Sequence, residues 1–244
     1  MRSNSWFFWL AIFAISTLVA CTASQRETEQ THTTPAVVVE DQLDQPLPKV
    51  LIIGDSISMA YTKPVVRLMQ GKADVSRIPG NGRWAGYGVE KIDEWLGDEQ
   101  WDVIHFNWGL WDMYGWEYRN EDISHKAYEK RLEKLVTRLK ETDAKLIWAT
   151  TTPVCTAPEV SLRDRFDTVL VISPEVEKRY LDAAERVMKR HDIQINDLHA
   201  LVLPEMDKLS PAPDNVHFNA AGTNKLAQQV AEVITVAIDV KANP

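Results

Sequence analysis

A serine, an aspartate and a histidine in this sequence have the types and order needed to make one another reactive. Ser56 closes the tripeptide Gly54-Asp55-Ser56 after the apolar run Val50-Leu51-Ile52-Ile53, and Asp214 and His217 stand three residues apart towards the other end of the 244-residue chain. A serine hydroxyl is a weak nucleophile until a base within hydrogen-bond reach takes its proton. Histidine has the ordinary pKa for that task near neutrality, and an acceptor beside it fixes its tautomer and stabilises the imidazolium. The short spacing lets Asp214 hold His217 within one turn. A serine between a strand and a helix also sits where backbone N–H groups and the helix dipole favour developing negative charge. These types permit acyl transfer through a serine ester. Each has a plainer reading beside it: Ser56 as a helix cap, and Asp214 with His217 as a cap and a solvated histidine.

The elements that must position these residues follow from the hydrophobic pattern. Lys49 to Gly54 reads as a buried parallel strand, as do Ala73 to Ile78, Trp101 to Asn107, Ala144 to Thr151 and the short Ile193 to Ile195. Between them lie helical stretches: Ile57 to Gln70, with Pro64 near its start or at a kink; Tyr87 to Leu96; Ser124 to Glu141; Pro174 to His191; and, closing the chain, Ala220 to Ile238. Strand–helix alternation of this length predicts a three-layer α/β/α sandwich around a central, mostly parallel five-stranded sheet. Ligands of such sheets bind beyond the carboxyl ends of the strands. Three groups besides Gly54-Asp55-Ser56 are predicted at that rim: Pro79-Gly80-Asn81-Gly82, Asn107-Trp108-Gly109-Leu110-Trp111-Asp112 and Asp214-Asn215-Val216-His217.

Four such groups, in this order and at the mouth of one sheet, resemble the blocks of the SGNH, or GDSL, hydrolases, over about residues 48–240. The resemblance implies a flavodoxin-like fold and carboxylic ester hydrolysis by a Ser56, Asp214 and His217 triad, with no cofactor and no metal. It makes Asp55 structural. It implies an oxyanion hole built from the N–H of Ser56, the N–H of Gly82 (with Gly80 as the alternative) and an asparagine side chain. The third block departs from the family, because Gly109-Leu110-Trp111-Asp112 has Trp111 where the family has Asn; Asn107 is the substitute expected from the strand end. A lost oxyanion donor typically costs ~2.7–4 kcal/mol, which slows such an enzyme without abolishing it. The G-x-S-x-G elbow of α/β-hydrolases is absent, since the run from Gly54 ends at Ser58. Trp84, Trp108, Trp111 and Trp116 cluster in the loops after the second and third strands and are the expected walls of a cleft for sugar rings or an acyl chain. Expected substrates are therefore small acyl esters, among them acetyl groups on a carbohydrate. Acyl transfer to a glycan by the same triad, or glycan binding by a weakened site, are the alternatives.

The chain's ends and composition set the context. Arg2, the apolar run Trp6 to Val19 and Leu18-Val19-Ala20-Cys21 read as a signal peptide over residues 1–20. The last four resemble the lipobox of bacterial lipoproteins, which implies acylation of Cys21. Thr22 rather than Asp follows it, which favours the outer membrane of a Gram-negative cell, on its periplasmic or surface face. Residues 21–47 are polar and proline-punctuated, a tether rather than a core. The formal charge of −8 argues against nucleic acid as a partner; the expected partners are an ester substrate and the membrane, with the protein a monomer. Cys155 then remains as a single thiol without metal-ligand spacing, and reads as a buried small residue; His105, in mid-strand, reads as a core histidine.

Overall fold

Val50 to Ile53 are each no more than 2% exposed, and with Lys49 they form β1 (Lys49–Ile53), an interior strand covered on both faces. The computed structural model describes residues 46–114, 122, 124–154, 160–163, 169–213 and 215–242. Cys21, the tether up to residue 45, Trp116, Cys155 and Asp214 lie outside the described residues. Residues 45–244 form one compact unit. Beside β1 run β2 (Asp74–Arg77) and β3 (Val103–Phe106), followed outward by β4 (Lys145–Ala149) and β7 (Gln194–Asn196), in the order β2-β1-β3-β4-β7. Every pairing in this sheet is parallel, with Leu51 opposite both Ser76 and Ile104. The expected mostly parallel sheet is thus entirely parallel.

Strand order places the helices. The chain steps from β1 to β2 in one direction and then crosses back past β1 to β3, β4 and β7. Right-handed crossovers therefore put α1 (Ser56–Leu68) on one face and α2 (Ala85–Leu96), α4 (His125–Lys140) and α5 (Pro174–Arg190) on the other. The packing agrees: α8 (Ala220–Ala242) lies on α1, while α4 lies between α2 and α5. The reversal of direction falls between β1 and β3, the switch point at which α/β sheets open a crevice. Ser56 follows the first of these strands and Asn107 the second.

Several boundaries are set by caps. Asp55 is the N-cap of α1, its carboxylate accepting the Ile57 N–H at 2.9 Å, so Ser56 is the first helical residue. Ser124 and Ser173 cap α4 and α5 in the same way. Pro64 neither starts nor ends α1; the helix runs through it to Leu68. Four pieces were not legible in the pattern: α3 (Leu110–Tyr114), the antiparallel hairpin β5 (Val160–Arg163) with β6 (Val169–Ile172), and the short α6 (Leu198–Val202) and α7 (Met206–Leu209). The three helices are too short to show a period.

Gly109 marks the tightest passage of chain at the rim. Its φ is 151°, and an added Cβ would lie 2.2 Å from the Thr151 hydroxyl and 3.2 Å from that of Tyr128. Gly71, at φ 74°, has open space around its missing Cβ. Gly109→Ala is expected to destabilise the protein by about 2–3 kcal/mol through backbone strain and overpacking. Gly71→Ala should lose only about 1 kcal/mol, from conformation alone. Urea unfolding of the two variants checks the difference.

Candidate active site

The helix that begins at Ser56 points its first turn across the switch point, and the turn before α8 brings His217 to it. His217 Nε2 lies 3.1 Å from Ser56 Oγ, a hydrogen-bond distance between residues 161 positions apart in sequence. Ser56 is half-buried and His217 exposed, so the pair faces solvent. On the other side of the ring, His217 Nδ1 lies 3.2 Å from Asn215 Oδ1, which also accepts the His217 backbone N–H at 2.9 Å. An Nδ1–H donated to that amide oxygen leaves Nε2 as the lone-pair nitrogen facing the hydroxyl, the tautomer a general base requires. Asn215 was missed in the sequence reading although it stands beside Asp214, because a carboxylate was the partner sought.

The turn bearing Ser56 is hydrogen-bonded on its inner side. Ser58 Oγ donates to the Asp55 carbonyl at 2.7 Å. The Asp55 carboxyl is buried, which raises it above its ordinary value; the Ile57 N–H, His217 and Arg77 act in the opposite sense. Asp55 is thus committed to the cap, and Ser58 to the interior, neither to the reacting face. Arg77, at the end of β2, reaches under the same turn. Sequence alone gave no sign of it, since its partners are main-chain carbonyls and the Ser58 hydroxyl.

Of the expected oxyanion donors, Gly82 is the one whose backbone N–H has an acceptor of its own. The Gly82 N–H donates to the Gly54 carbonyl at 2.9 Å, so in this arrangement it does not serve an oxyanion. The physical reason is close packing: a Cβ on Gly82 would meet the Gly54 oxygen at 2.7 Å. Asn107 Nδ2 donates to the Ala149 carbonyl at 2.8 Å, with Thr151 Oγ1 at 3.4 Å. Its first N–H therefore ties β3 to β4 and only the weaker contact competes for the second. Asn107 does line a small pocket beside the nucleophile turn, together with Ile57, Leu110, Thr151 and Leu198. The Ser56 N–H, at the first helical position, has no acceptor within α1.

The tryptophans divide. Trp108 is 1% exposed, its indole N–H donating to the Gly82 carbonyl at 3.2 Å and its ring packed on Phe106. It is a core residue that carries the second-block loop, which corrects its assignment to the substrate cleft. Trp84 and Trp111 are half-buried; the Arg131 guanidinium stacks 4.6 Å from the Trp84 ring centroid. Arg83 holds a left-handed φ of 51°, its N–H bonded to Asn81 Oδ1 at 2.8 Å. Among the described residues no group of acidic, histidine or cysteine side chains is arranged to hold a metal, and no helix is long and apolar enough to cross a membrane.

Comparison with known proteins returns the same architecture. No family model and no curated protein matches the sequence. Solved structures do match: a lipase/acylhydrolase from Enterococcus faecalis (TM-score 0.61, 18% identity, 78% of this chain and 96% of that one); a GDSL-like lipase from Bacteroides thetaiotaomicron (0.60, 15%, 80% and 93%); and an acetylxylan esterase from Geobacillus stearothermophilus (0.61, 18%, 78% and 94%). At these identities the likeness is one of fold. The chain shares the α/β architecture of these lipases and esterases.

Asp112 joins two of the rim loops. Its buried carboxyl accepts the Ala85 N–H at 3.1 and 3.0 Å through its two oxygens, at the start of α2, and burial pushes it up to about 8. An unfolded aspartate titrates near ~4. Between about pH 4 and 8 the folded protein therefore binds a proton that the unfolded chain does not, and stability falls as pH rises through that window. Asp112→Asn should flatten this dependence, as read from urea unfolding at pH 5 and pH 8.

Proposed function

We propose that this protein is a serine ester hydrolase. The observation that carries the reading is the 3.1 Å approach of His217 Nε2 to Ser56 Oγ at the rim of the parallel sheet. His217 takes the Ser56 proton as Oγ attacks the ester carbonyl. The tetrahedral oxyanion is met by the Ser56 N–H at the helix N-terminus. Collapse expels the alcohol, which receives its proton from His217 and leaves an acyl-Ser56. Water, deprotonated by His217, then releases the acid and restores the serine. Asp214 is the acid of the triad in this reading, and Asn215 helps to hold the imidazole.

Small acyl esters are the proposed substrates, with acetyl groups on a carbohydrate as the class. Support comes from the exposed site, from the aromatic loops, and from the acetylxylan esterases among the proteins of like fold. A glycan substrate also fits an envelope location, with residues 1–20 a cleaved signal peptide and acylated Cys21 anchoring the domain through residues 21–47 to the outer membrane. Ser56→Ala should lower kcat for p-nitrophenyl acetate by more than ~10³ and abolish labelling by an organophosphonate. Asp214→Asn should lose about 10³–10⁴ in kcat, and Asn215→Ala less than about tenfold. The reverse order would make the amide, not the carboxylate, the partner of His217. Turnover by folded Ser56→Ala at the parent's rate would end the reading.

A further inference from the structure

Arg77 makes more hydrogen bonds around the nucleophile than any function assigned so far explains. Its Nη2 donates to the Gly54 carbonyl at 2.8 Å and to the Asp55 carbonyl at 3.3 Å. Nε and Nη2 reach Ser58 Oγ at 3.2 and 3.1 Å. Nη1 turns the other way and donates to the carbonyls of Ile78 and Gly80, at 2.8 and 2.5 Å. One guanidinium therefore grips both the turn that presents Ser56 and the loop that packs Gly82 against it. The acceptors are neutral, so the group is not there to neutralise a partner carboxylate by direct contact.

The peptide between Asp55 and Ser56 is the point of interest. Its carbonyl accepts from Ser58 Oγ at 2.7 Å, from the Met59 N–H at 3.1 Å and from Arg77. Its N–H belongs to Ser56. Donors on the oxygen of a peptide polarise the whole unit and make its N–H a stronger donor, by ~10–30% per bond in condensed phase. A cationic donor does so more than a neutral one, because charge-assisted hydrogen bonds are about twice as strong.

We propose that Arg77 is a positioning residue for the oxyanion: it polarises the Asp55–Ser56 peptide and ties the Gly80–Gly82 loop to the nucleophile turn. The inference rests on the ester-hydrolase reading of Ser56. It separates Arg77 from a mere staple, because a staple affects how much protein is folded, whereas a polarising group affects the rate of what is folded. Lysine cannot substitute fully; its ammonium is a point charge with three donors and cannot span acceptors on both sides.

The test uses the full chain with Arg77→Met, Arg77→Lys and Arg77→Ala, p-nitrophenyl acetate as substrate, and an organophosphonate to titrate active Ser56. Arg77→Met is expected to lower kcat per folded molecule by about ten- to a hundredfold, less than outright loss of an oxyanion donor, with KM changed by less than about twofold. Arg77→Lys should fall between it and the parent. Guanidinium ion at sub-denaturing concentration should raise the Arg77→Ala rate but not the parent's. An unchanged kcat per folded molecule, with or without a lowered melting temperature, overturns the inference. Should the Arg77 variants not fold, Ser58→Ala removes the 2.7 Å bond to the same carbonyl and one Arg77 acceptor; a kcat equal to the parent's would then overturn it. A parent that neither turns over nor labels at Ser56 removes the hydrolase reading itself, and this inference with it. A parent that labels, beside an Arg77→Met that labels equally fast, removes only the role of Arg77.

Discussion

The site depends on how closely two backbones meet at the Gly54 carbonyl. That oxygen terminates β1, accepts the Gly82 N–H at 2.9 Å and accepts Arg77 at 2.8 Å. No side chain fits between the two segments, since even a methyl on Gly82 would stand 2.7 Å from the oxygen. Parallel strands supply their own ladder bonds but leave the carbonyls beyond their carboxyl ends without partners. Here those carbonyls are satisfied by the neighbouring loop and by the fork of donors on the half-buried Arg77. Trp108 continues the same arrangement from β3, its indole holding the Gly82 carbonyl from the opposite side. The rim is thus a set of loops bonded to one another, on which Ser56 and His217 stand.

Much of this was legible before the structure because it is periodic or local. The run Val50 to Ile53 could only be a strand buried on both faces, and the spacing of Tyr128, Leu132, Leu135, Val136 and Leu139 could only be one face of a helix. The five parallel strands and the helices between them follow from such runs. The hairpin Val160–Arg163 with Val169–Ile172 did not, since it lies outside the strand–helix alternation that the reading followed. Trp108 shows a different limit. Asn107 and Leu110, on either side of it in sequence, line the small pocket at the rim, but its own ring is directed inward against Phe106. Position in a loop says nothing of which way a side chain turns.

Hydrogen-bond bookkeeping separates the remaining residues. Gly82 and Asn107 have the right types for an oxyanion hole, yet the Gly82 N–H and one N–H of the Asn107 amide have acceptors elsewhere. Arg77, which no motif singled out, proved to be bonded to five different residues around the site. His105 is a buried histidine within the sheet, pushed down to about 4 by burial and bonded through Nε2 to the Asn196 amide. It is therefore neutral near pH 7, a core residue as its place in mid-strand suggested. Chemistry-bearing residues are told apart here by where their polar atoms are directed, and only coordinates supply that.

The two members of the reacting pair have unequal anchorage. Ser56 is built into a helix that packs on the sheet, whereas His217 is an exposed residue in the short connection between α7 and α8. Among the described residues that connection is tied by Asn219 N–H and Nδ2 to the carbonyls of Leu209 and Lys208, and by Ser210 Oγ to Ala212 and Asn215. Val216 and Phe218, on either side of His217, pack into the core. The backbone of the turn is thus anchored while its imidazole stands in solvent, where side chains change rotamer within nanoseconds. In the ester-hydrolase reading the proton carrier can therefore swing away from Ser56 and return without any segment unfolding.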